Sequence, residues 1–226
     1  MTRRPQPGAE TLILIPTASE AQIIEAERLA GASSSPFALC GFGPIAAAAS
    51  AARELARVGP ERVLLIGIAG SFDTRAYPIG SATTFAHVAV DGIGAGEGAS
   101  ARTAAGLGFP QWPAQGDAAD VFDILPLSSP GSEGAPTLLT VCSCSGSAQQ
   151  AGRRRQTAHA PAAEDMEGFG VALACHQAGT PLTIVRGISN EVGDRDPSNW
   201  SIAPAMHAAW SAARAVMTSP DWSAPK

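Results

Sequence analysis

Charged and aromatic residues are scarce in this sequence, and lysine occurs only at the last position, Lys226. Of the 226 residues, 15% are charged and 5% aromatic, and the formal net charge is −5. A chain with this balance lacks the basic face that nucleic acids and anionic membranes require, so we expect neither as a partner. Because hydrophobic residues make up 45%, the composition is typical of a folded chain with a sizeable core.

Cysteine is also scarce, and the four cysteines are too few and too scattered for a disulfide framework. Cys142 and Cys144 lie close together, but no second Cys/His pair follows at the spacing of a zinc site. The sequence contains neither a dinucleotide fingerprint nor a Walker loop. We therefore expect no metal and no cofactor.

No apolar run reaches the length of a membrane span. Residues 1–10 contain two arginines but no apolar segment, which is typical of a disordered tail and not of a signal peptide. We therefore expect a cytoplasmic protein in which residues 11–218 form one domain and residues 219–226 a C-terminal tail.

Short apolar runs alternate with alanine-rich helical segments along the chain. Residues 11–16, 62–69 and 182–188 are apolar runs that predict buried strands. The alternation favours an α/β class: a three-layer α/β/α domain with a central mixed, largely parallel twisted sheet. Open sheets of this kind bind small molecules at the carboxyl ends of their strands.

Two segments between the apolar runs carry signals of their own. Ser19 and Gln22 predict a capping box, with Ser19 as the N-cap of a helix that puts Glu20 in its first turn. A carboxylate there also complements the helix dipole, which is a purely structural reason for its presence. Residues 91–119 are rich in glycine, alanine and proline and predict a functional loop or lid.

Four motifs carry a resemblance to a known family. Glu-Asp-Met-Glu-Gly at 164–168 resembles the Glu-Met-Glu signature of the nucleoside phosphorylase and nucleosidase superfamily. Arg-Gly-Ile-Ser-Asn at 186–190 and Gly-Ile-Ala-Gly at 67–70 are similar to segments of the methylthioadenosine/S-adenosylhomocysteine nucleosidases. Glu20 falls where those enzymes carry a glutamate that activates water. The motifs occur in order over residues 12–217, and Gly-Asp-Arg-Asp with Trp200 resembles the futalosine hydrolase branch.

The resemblance implies that Met166 and Glu167 bind ribose, and the chemistry supports this. Cleavage of an N-glycosidic bond has an oxocarbenium-like transition state, in which the sugar becomes cationic. The Glu167 carboxylate would accept hydrogen bonds from ribose hydroxyls and favour that cation. The thioether of Met166 would pack on the apolar sugar face. Without the other motifs, a helix-start acid and a core methionine would be the preferred explanation of these residues.

Glu20 favours a hydrolase over a phosphorylase. A phosphorylase binds a phosphate dianion, usually with arginine and a glycine-rich backbone, and a carboxylate at that place would repel it. Glu20 can instead take a proton from water as a general base. The sequence departs from the nucleosidases at Ile68, where a serine hydroxyl is missing, so a second partner for the water is not evident.

Asn190 bears on the leaving base. In the adenine-specific relatives the resemblance places an aspartate here, which suits a base with an amino group. An asparagine can donate to the carbonyl of a 6-oxopurine and accept from its protonated ring nitrogen. Asn190 therefore predicts hypoxanthine or guanine as the leaving group, with Ser189 orienting the amide. Asp194 is a candidate source of the proton.

The remaining site residues come from the resemblance alone. Ala69 and Gly70 would approach the substrate with their backbone, and Cys144 and Ser145 would line the base. The substituent at the 5′ carbon of futalosine contains an aromatic carboxylate, so we expect a cation near it, and the candidates are Arg75, Arg102 and His87. A homo-oligomer in which a neighbouring subunit closes part of the pocket is implied as well.

Taken together, these residues predict an enzyme that hydrolyses a purine nucleoside, with futalosine as the substrate that the resemblance implies. A methylthioadenosine/S-adenosylhomocysteine nucleosidase is the alternative among enzymes. A nucleoside-binding protein without catalysis is the alternative from another class. Release of hypoxanthine, of adenine or of no base would separate the three.

Overall fold

The computed structural model describes residues 11–30, 35–96, 100–114, 116, 119–129, 134–156 and 159–223. The expected tail at residues 1–10 lies outside them. In chain order the strands are β1 (Thr11–Ile15), β2 (Phe37–Leu39), β3 (Arg62–Ser71), β4 (Ala82–Thr84), β5 (His87–Asp91), β6 (Gly94–Ala95), β7 (Arg102–Thr103), β8 (Ile124–Pro126), β9 (Thr137–Val141), β10 (Ala163–Asp165) and β11 (Leu182–Glu191). The helices are α1 (Ala18–Ala30), α2 (Pro44–Val58), α3 (Ala104–Leu107), α4 (Ala148–Arg155), α5 (Gly168–Ala178), α6 (Ile202–Met217) and α7 (Pro220–Ser223).

Nine of the described strands form one mixed sheet. β1 pairs with β2 and β3, β11 with β3, β10 with β9 and β5 with β9, all in parallel. The pairs β10–β3, β11–β4 and β5–β8 are antiparallel. β6 and β7 form a separate two-stranded ladder within the glycine-rich stretch expected to be a loop or lid. The mixed, largely parallel sheet predicted from the sequence is confirmed.

β3 is the strand around which this sheet divides. Along one edge it pairs with β11 from Val63 to Ser71. Along the other edge it pairs with β1 only as far as Leu65, and then with β10 from Gly70 onward. The two partners thus diverge, and the edge of β3 between them is left without a neighbouring strand. The backbone without a strand partner on that edge is that of residues 66–69.

Helices cover both faces of the sheet, and the alternating side chains of β3 divide between them. Val63 and Leu65 belong to a buried cluster with α2 and α5. Leu64 and Ile66 belong to a second cluster with α1 and α6. Trp222 of α7 is buried in that second cluster, so packed structure continues beyond the domain boundary expected at residue 218. This arrangement is the three-layer α/β/α architecture.

The capping box of α1 lies two residues before the predicted one. Thr17 precedes the helix, and its hydroxyl accepts a hydrogen bond from the Glu20 N–H at 3.3 Å. In return the Glu20 carboxylate accepts from the Thr17 N–H at 3.1 Å and from its hydroxyl at 2.6 Å. The prediction that Ser19 caps this helix is wrong, because Thr17 and Glu20 supply the same capping-box spacing two residues earlier. The box fixes the carboxylate at the end of β1.

Candidate active site

A cavity of about 630 Å³ lies at the carboxyl ends of β1, β3, β9, β10 and β11. Nine of the site residues expected from the sequence line it: Glu20, Ala69, Gly70, Cys144, Ser145, Met166, Glu167, Ser189 and Asn190. Thr17, Phe42, Ile68, Glu164, Arg195 and Trp200 line it as well. The division of β3 between two partners opens the sheet at this place, and the cavity occupies that opening.

Glu20 closes the unpaired edge of β3 with its side chain. Besides its two contacts with Thr17, its carboxylate accepts a hydrogen bond from the Ile68 N–H at 3.1 Å. These three bonds use three of the roughly four acceptor positions of a carboxylate. The residue is buried yet lines the cavity, so one acceptor position remains for a ligand or a water molecule. At position 68, where the nucleosidases have a serine, the backbone N–H of Ile68 bonds to this carboxylate.

Glu167 and Asp165 share a fully buried cation that sequence reasoning did not include among the site residues. The Arg186 guanidinium donates to Asp165 at 3.1 Å and approaches Glu167 at 3.3 Å. A Cβ at Gly67 would lie 2.0 Å from Arg186 Nη1, so only glycine leaves room for the guanidinium. The signal in the sequence was an arginine in the middle of an apolar strand, because such a charge is buried only when it is paired.

The electrostatics of this cluster affect Glu167 and Arg186 in different ways. Burial raises the pKa of Glu167, and although Arg186 lowers it, Asp165 and Glu20 add to the increase, which brings it to about 7. Burial alone would lower the pKa of Arg186, but Asp165, Glu167 and Glu20 raise it above its ordinary value. Arg186 thus stays cationic, whereas Glu167 titrates near neutral pH.

Glu167 is also anchored to the loop after β2. Its other carboxylate oxygen accepts a hydrogen bond from the Gly43 N–H at 3.1 Å. Met166 is half-buried beside it and packs against a small cluster that includes Val141 and Val192. Carboxylate and thioether therefore face the cavity from a rigid strand-to-helix turn.

Asn190 and Ser189 end β11 at the opposite wall. The Ser189 hydroxyl lies 2.7 Å from Asn190 Oδ1 and 3.3 Å from the Ala69 carbonyl, and the Asn190 amide donates to the Glu191 carbonyl at 2.8 Å. Each end of the amide thus keeps one unused position, an N–H and a lone pair. A Cβ at Gly70 would lie 3.3 Å from Asn190 Nδ2, so glycine keeps the space before the amide open.

The base-lining segment predicted at Cys144 and Ser145 is held by a carboxylate. Glu164 accepts from the Ser145 N–H at 2.7 Å, from its hydroxyl at 2.7 Å and from Arg154 at 3.0 Å. Burial, with Glu164 next, raises the pKa of the Cys144 thiol, which disfavours the nucleophilic thiolate form. Within the described part of the chain, no group of three or more His, Cys, Asp and Glu residues is placed to hold a metal ion.

The loop after β11 brings a cation and an aromatic ring to the cavity. The Arg195 guanidinium lies 4.9 Å from the centre of the Trp200 ring, and both residues line the cavity. Asp194 does not line it, because its carboxylate accepts from the Asp196 N–H and the Asn199 amide within the loop. The proton donor considered at Asp194 is therefore not at the site.

The three candidates for the 5′ substituent also lie elsewhere. Arg75, Arg102 and His87 are exposed and are absent from the cavity wall. Arg102 instead bonds to the Gly106 carbonyl in the turn around α3. Arg195 is the cation that sequence reasoning missed, and its signal was the Gly-Asp-Arg-Asp segment that carries part of the family resemblance.

This arrangement can bind a sugar between Met166 and Glu167, with a general base on one side and a hydrogen-bonding amide for a base on the other. Comparison with known proteins agrees with it. The protein-family model described as "Phosphorylase superfamily" matches residues 136–219 of this sequence. The futalosine hydrolase of Streptomyces coelicolor is 33% identical over 179 residues, which cover 74% of this chain and 72% of that protein.

Two solved structures share the fold. The 5′-methylthioadenosine/S-adenosylhomocysteine nucleosidase of Helicobacter pylori, in complex with butyl-thio-DADMe-Immucillin-A, has a TM-score of 0.71 at 14% identity and covers 94% of this chain and 99% of that one. The futalosine hydrolase of the same organism has a TM-score of 0.67 at 15% identity and covers 90% and 94%.

Fold, cavity and relatives define an N-glycosyl hydrolase of the phosphorylase superfamily. Within it the chain belongs to the futalosine hydrolase family. In the residues that the structure describes, none of the helices has the length and apolar character needed to cross a membrane.

Proposed function

We propose that this enzyme hydrolyses the N-glycosidic bond of futalosine, giving hypoxanthine and dehypoxanthine futalosine. The observation that carries the proposal is that Glu20 and Asn190 line the same cavity, in a chain of the futalosine hydrolase family. A role in menaquinone biosynthesis and a cytoplasmic location belong to the same proposal. Neither a metal nor a cofactor takes part in the proposed steps.

Glu20 is the general base for water. Its side chain lines the cavity with one acceptor position unused, while Thr17 and Ile68 occupy the other positions. A carboxylate held on both oxygens cannot rotate away, so a water bound to it is positioned with little loss of freedom at the moment of reaction. The same negative charge disfavours phosphate as the nucleophile, which makes hydrolysis the expected reaction.

Glu167 and Met166 bind the ribose. The Glu167 carboxylate accepts hydrogen bonds from ribose hydroxyls, and its charge favours the cationic sugar of the transition state. Arg186 and Gly43 hold the carboxylate in place. Met166 contributes an apolar, polarisable contact to the sugar face.

Asn190 binds the leaving base. Its free N–H is donated to the carbonyl of hypoxanthine, and its free lone pair accepts from the ring nitrogen that becomes protonated as the base leaves. Ser189 keeps the amide in this orientation. Since Asn190 is not an acid, the proton reaches the base through water.

We propose Arg195 as the partner of the 5′ substituent. A guanidinium forms charge-assisted hydrogen bonds with a carboxylate, and an aromatic side chain offers a face for a flat group. Arg195 and Trp200 supply these two features side by side at the cavity. The aromatic carboxylate of futalosine has both matching parts.

The enzyme is also proposed to be a homo-oligomer. Phe42 lines the cavity but is 68% exposed, and Ile45, near the start of α2, is 83% exposed. Exposed apolar side chains beside a substrate cavity fit a surface that a neighbouring subunit covers. Such a subunit would close the cavity from the side of α2.

The test is release of hypoxanthine from futalosine, run beside methylthioadenosine and inosine, in phosphate-free buffer and again with phosphate. Cleavage of futalosine without a gain from phosphate is the expected result. Cleavage only with phosphate would make the enzyme a phosphorylase and overturn the role of Glu20. Preferential adenine release would favour the methylthioadenosine/S-adenosylhomocysteine nucleosidase alternative. Binding of hypoxanthine without cleavage of any nucleoside would indicate a binding protein.

A further inference from the structure

Glu164 has no part in the proposed function, although it stands at the base end of the cavity. It is buried and paired with Arg154, and it lines the cavity beside Ser145. A buried carboxylate that faces a ligand cavity restricts which chemical groups can lie opposite it. Its position and its bonding pattern together indicate which groups these are.

The sheet register puts Glu164 and Asn190 in one row. Gly70 of β3 pairs with Glu164 of β10 on one side and with Asn190 of β11 on the other. Neighbouring strands lie about 4.8 Å apart, so the backbones of Glu164 and Asn190 are separated by roughly 10 Å. Gly70 has no side chain, and all three residues line the cavity. The row is therefore an open slot with an amide at one end and a carboxylate at the other, which suits a flat bicyclic base.

The bonds of Glu164 leave one acceptor position. Oε2 accepts from the Ser145 hydroxyl at 2.7 Å and from Arg154 Nη1 at 3.0 Å, while Oε1 accepts only from the Ser145 N–H at 2.7 Å. A carboxylate has about four such positions. The remaining acceptor position is on Oε1. Because the Glu164 side chain lines the cavity, a ligand bound there should place a hydrogen-bond donor opposite this oxygen.

Ser145 cannot change this requirement. Both of its donors, the N–H and the hydroxyl, are directed to Glu164, so neither is available to a ligand. Arg154 in turn bonds to Asp91 at 2.9 Å and to the Ser145 hydroxyl at 3.0 Å, which fixes the carboxylate from behind. Ser145 therefore adds no donor at this end of the slot, where Glu164 presents an acceptor.

We propose that Glu164 determines the base specificity by accepting a hydrogen bond from the ring N–H that a 6-oxopurine carries beside its carbonyl. A 6-aminopurine has a lone pair at that ring position, which would face the carboxylate without a proton between them. Glu164 therefore selects for hypoxanthine and against adenine from the opposite end of the slot to Asn190. The inference rests on the proposed function, because it assumes that the base lies between these two residues.

The experiment compares kcat/KM for futalosine and for its counterpart with a 6-amino group, in the wild type and in Glu164→Gln. We expect the wild type to prefer the 6-oxo substrate and the variant to lose about ten- to a hundredfold of that preference, since one mismatched buried hydrogen bond has this effect. Glu54→Gln is the matched control, because Glu54 is likewise buried and paired with arginine but lies on α2 away from the cavity. Its preference should equal that of the wild type.

A merely structural role of Glu164 would give a different result. Disorder of the Ser145 segment would lower kcat/KM for both substrates alike, and an unchanged preference in Glu164→Gln would overturn the inference. If that variant does not fold, Glu164→Asp keeps the charge opposite Arg154 but withdraws the oxygens from the base. It is expected to lose preference as well, and full retention would contradict the proposal.

Binding of free bases separates this inference from the proposed function. Calorimetric titration with hypoxanthine and adenine needs no turnover, and the wild type should bind hypoxanthine more tightly, with the difference reduced in Glu164→Gln. If futalosine is not cleaved but this pattern holds, the function is wrong and the role of Glu164 stands. If futalosine is cleaved while the binding preference is absent or independent of Glu164, the function stands and the inference is wrong.

Discussion

Glu20 is held by contacts that maintain the fold, and the proposed chemistry depends on the same contacts. Its carboxylate completes the capping box of α1 and satisfies the Ile68 N–H on the open edge of β3. Sequence reasoning weighed a helix-start acid against a general base as if one excluded the other. These contacts are sufficient to explain a carboxylate at this position by structure alone. The catalytic role is proposed for the one acceptor position that they leave unused.

We predict that Glu20→Gln keeps the fold and loses about 10²- to 10⁴-fold in kcat, the usual contribution of a general base. Glutamine is itself a good capping-box residue, so α1 should keep its start. The measurement is the initial rate of hypoxanthine release, together with hypoxanthine binding, which should persist. Glu25→Gln, the same change on α1 at a residue paired with Arg28, is the control and should behave as wild type. A fully active Glu20→Gln enzyme would rule out the mechanism.

The raised pKa of Glu167 predicts how activity depends on pH. Burial, offset in part by Arg186 and reinforced by Asp165, brings its pKa to about 7 from an ordinary value of 4.5. Because the carboxylate form binds the ribose, kcat/KM should increase as pH rises through about 7 and decrease below it. A profile of kcat/KM against pH gives the result, and an inflection near the ordinary value instead would contradict the role assigned to this group.

The raised pKa of Glu167 also makes the stability of the fold depend on pH, in the opposite direction to kcat/KM. Between pH 4.5 and about 7 the folded chain retains a proton that the unfolded chain has released. The contribution of Glu167 to the free energy of unfolding therefore decreases as pH rises across this window. Denaturant unfolding of the wild type and of Glu167→Gln on both sides of the window measures this contribution.

Arg195 is predicted to distinguish futalosine from nucleosides without a 5′ substituent. Arg195→Met should lower kcat/KM for futalosine by about tenfold or more, the usual effect of losing a charged hydrogen bond, and should affect inosine far less. Rates with both substrates give the result. Arg75→Met, which changes an exposed arginine outside the cavity, is the control and should leave both rates unchanged. Equal losses for the two substrates in Arg195→Met would contradict the assignment.

At the scale of elements, the long strands were evident from the sequence and the short ones were not. Residues 62–69 and 182–188 are apolar runs, and both form central strands. β10 has three residues, of which two are acidic, and β8 has three, so neither has an apolar pattern long enough to indicate a strand. β10 is nevertheless the strand that opens β3 and carries Glu164 and Asp165 to the cavity.

The close approach of α2 and α5 depends on a glycine. A Cβ at Gly170 would lie 2.2 Å from the Pro44 carbonyl oxygen at the start of α2. Gly170→Ala should therefore destabilise the fold by about 1–3 kcal/mol, as overpacking of a core does. Denaturant unfolding measures the change.

Gly152 on α4 is the matched control. A Cβ there would meet nothing within 4 Å, so Gly152→Ala should be neutral or slightly stabilising because alanine favours the helix. Equal stability of the two variants would show that α2 moves aside without cost. Since Gly43 on the loop before α2 binds Glu167, Gly170→Ala should also lower activity.

At the scale of the whole molecule, the exposed apolar residues near the cavity predict self-association. If α2 forms part of an interface, Ile45→Asp should shift the enzyme toward smaller species in sedimentation velocity and lower its activity by opening the cavity. Leu29→Asp on α1 also changes an exposed aliphatic residue to an acid, but on the other face of the sheet, and should leave the sedimentation unchanged. A wild type that sediments as a monomer would contradict the proposal.

The fold class, the elements with a strong apolar period and nine of the residues that line the cavity could be predicted from the sequence. This was possible because these depend on local pattern and on motifs with fixed spacing. Tertiary structure alone decided the rest: the pairing of Arg186 with Asp165 and Glu167, the row formed by Glu164 and Asn190, and the absence of Arg75 and Asp194 from the site. Each of these depends on which strands become neighbours, and a linear pattern does not contain the distances across a sheet.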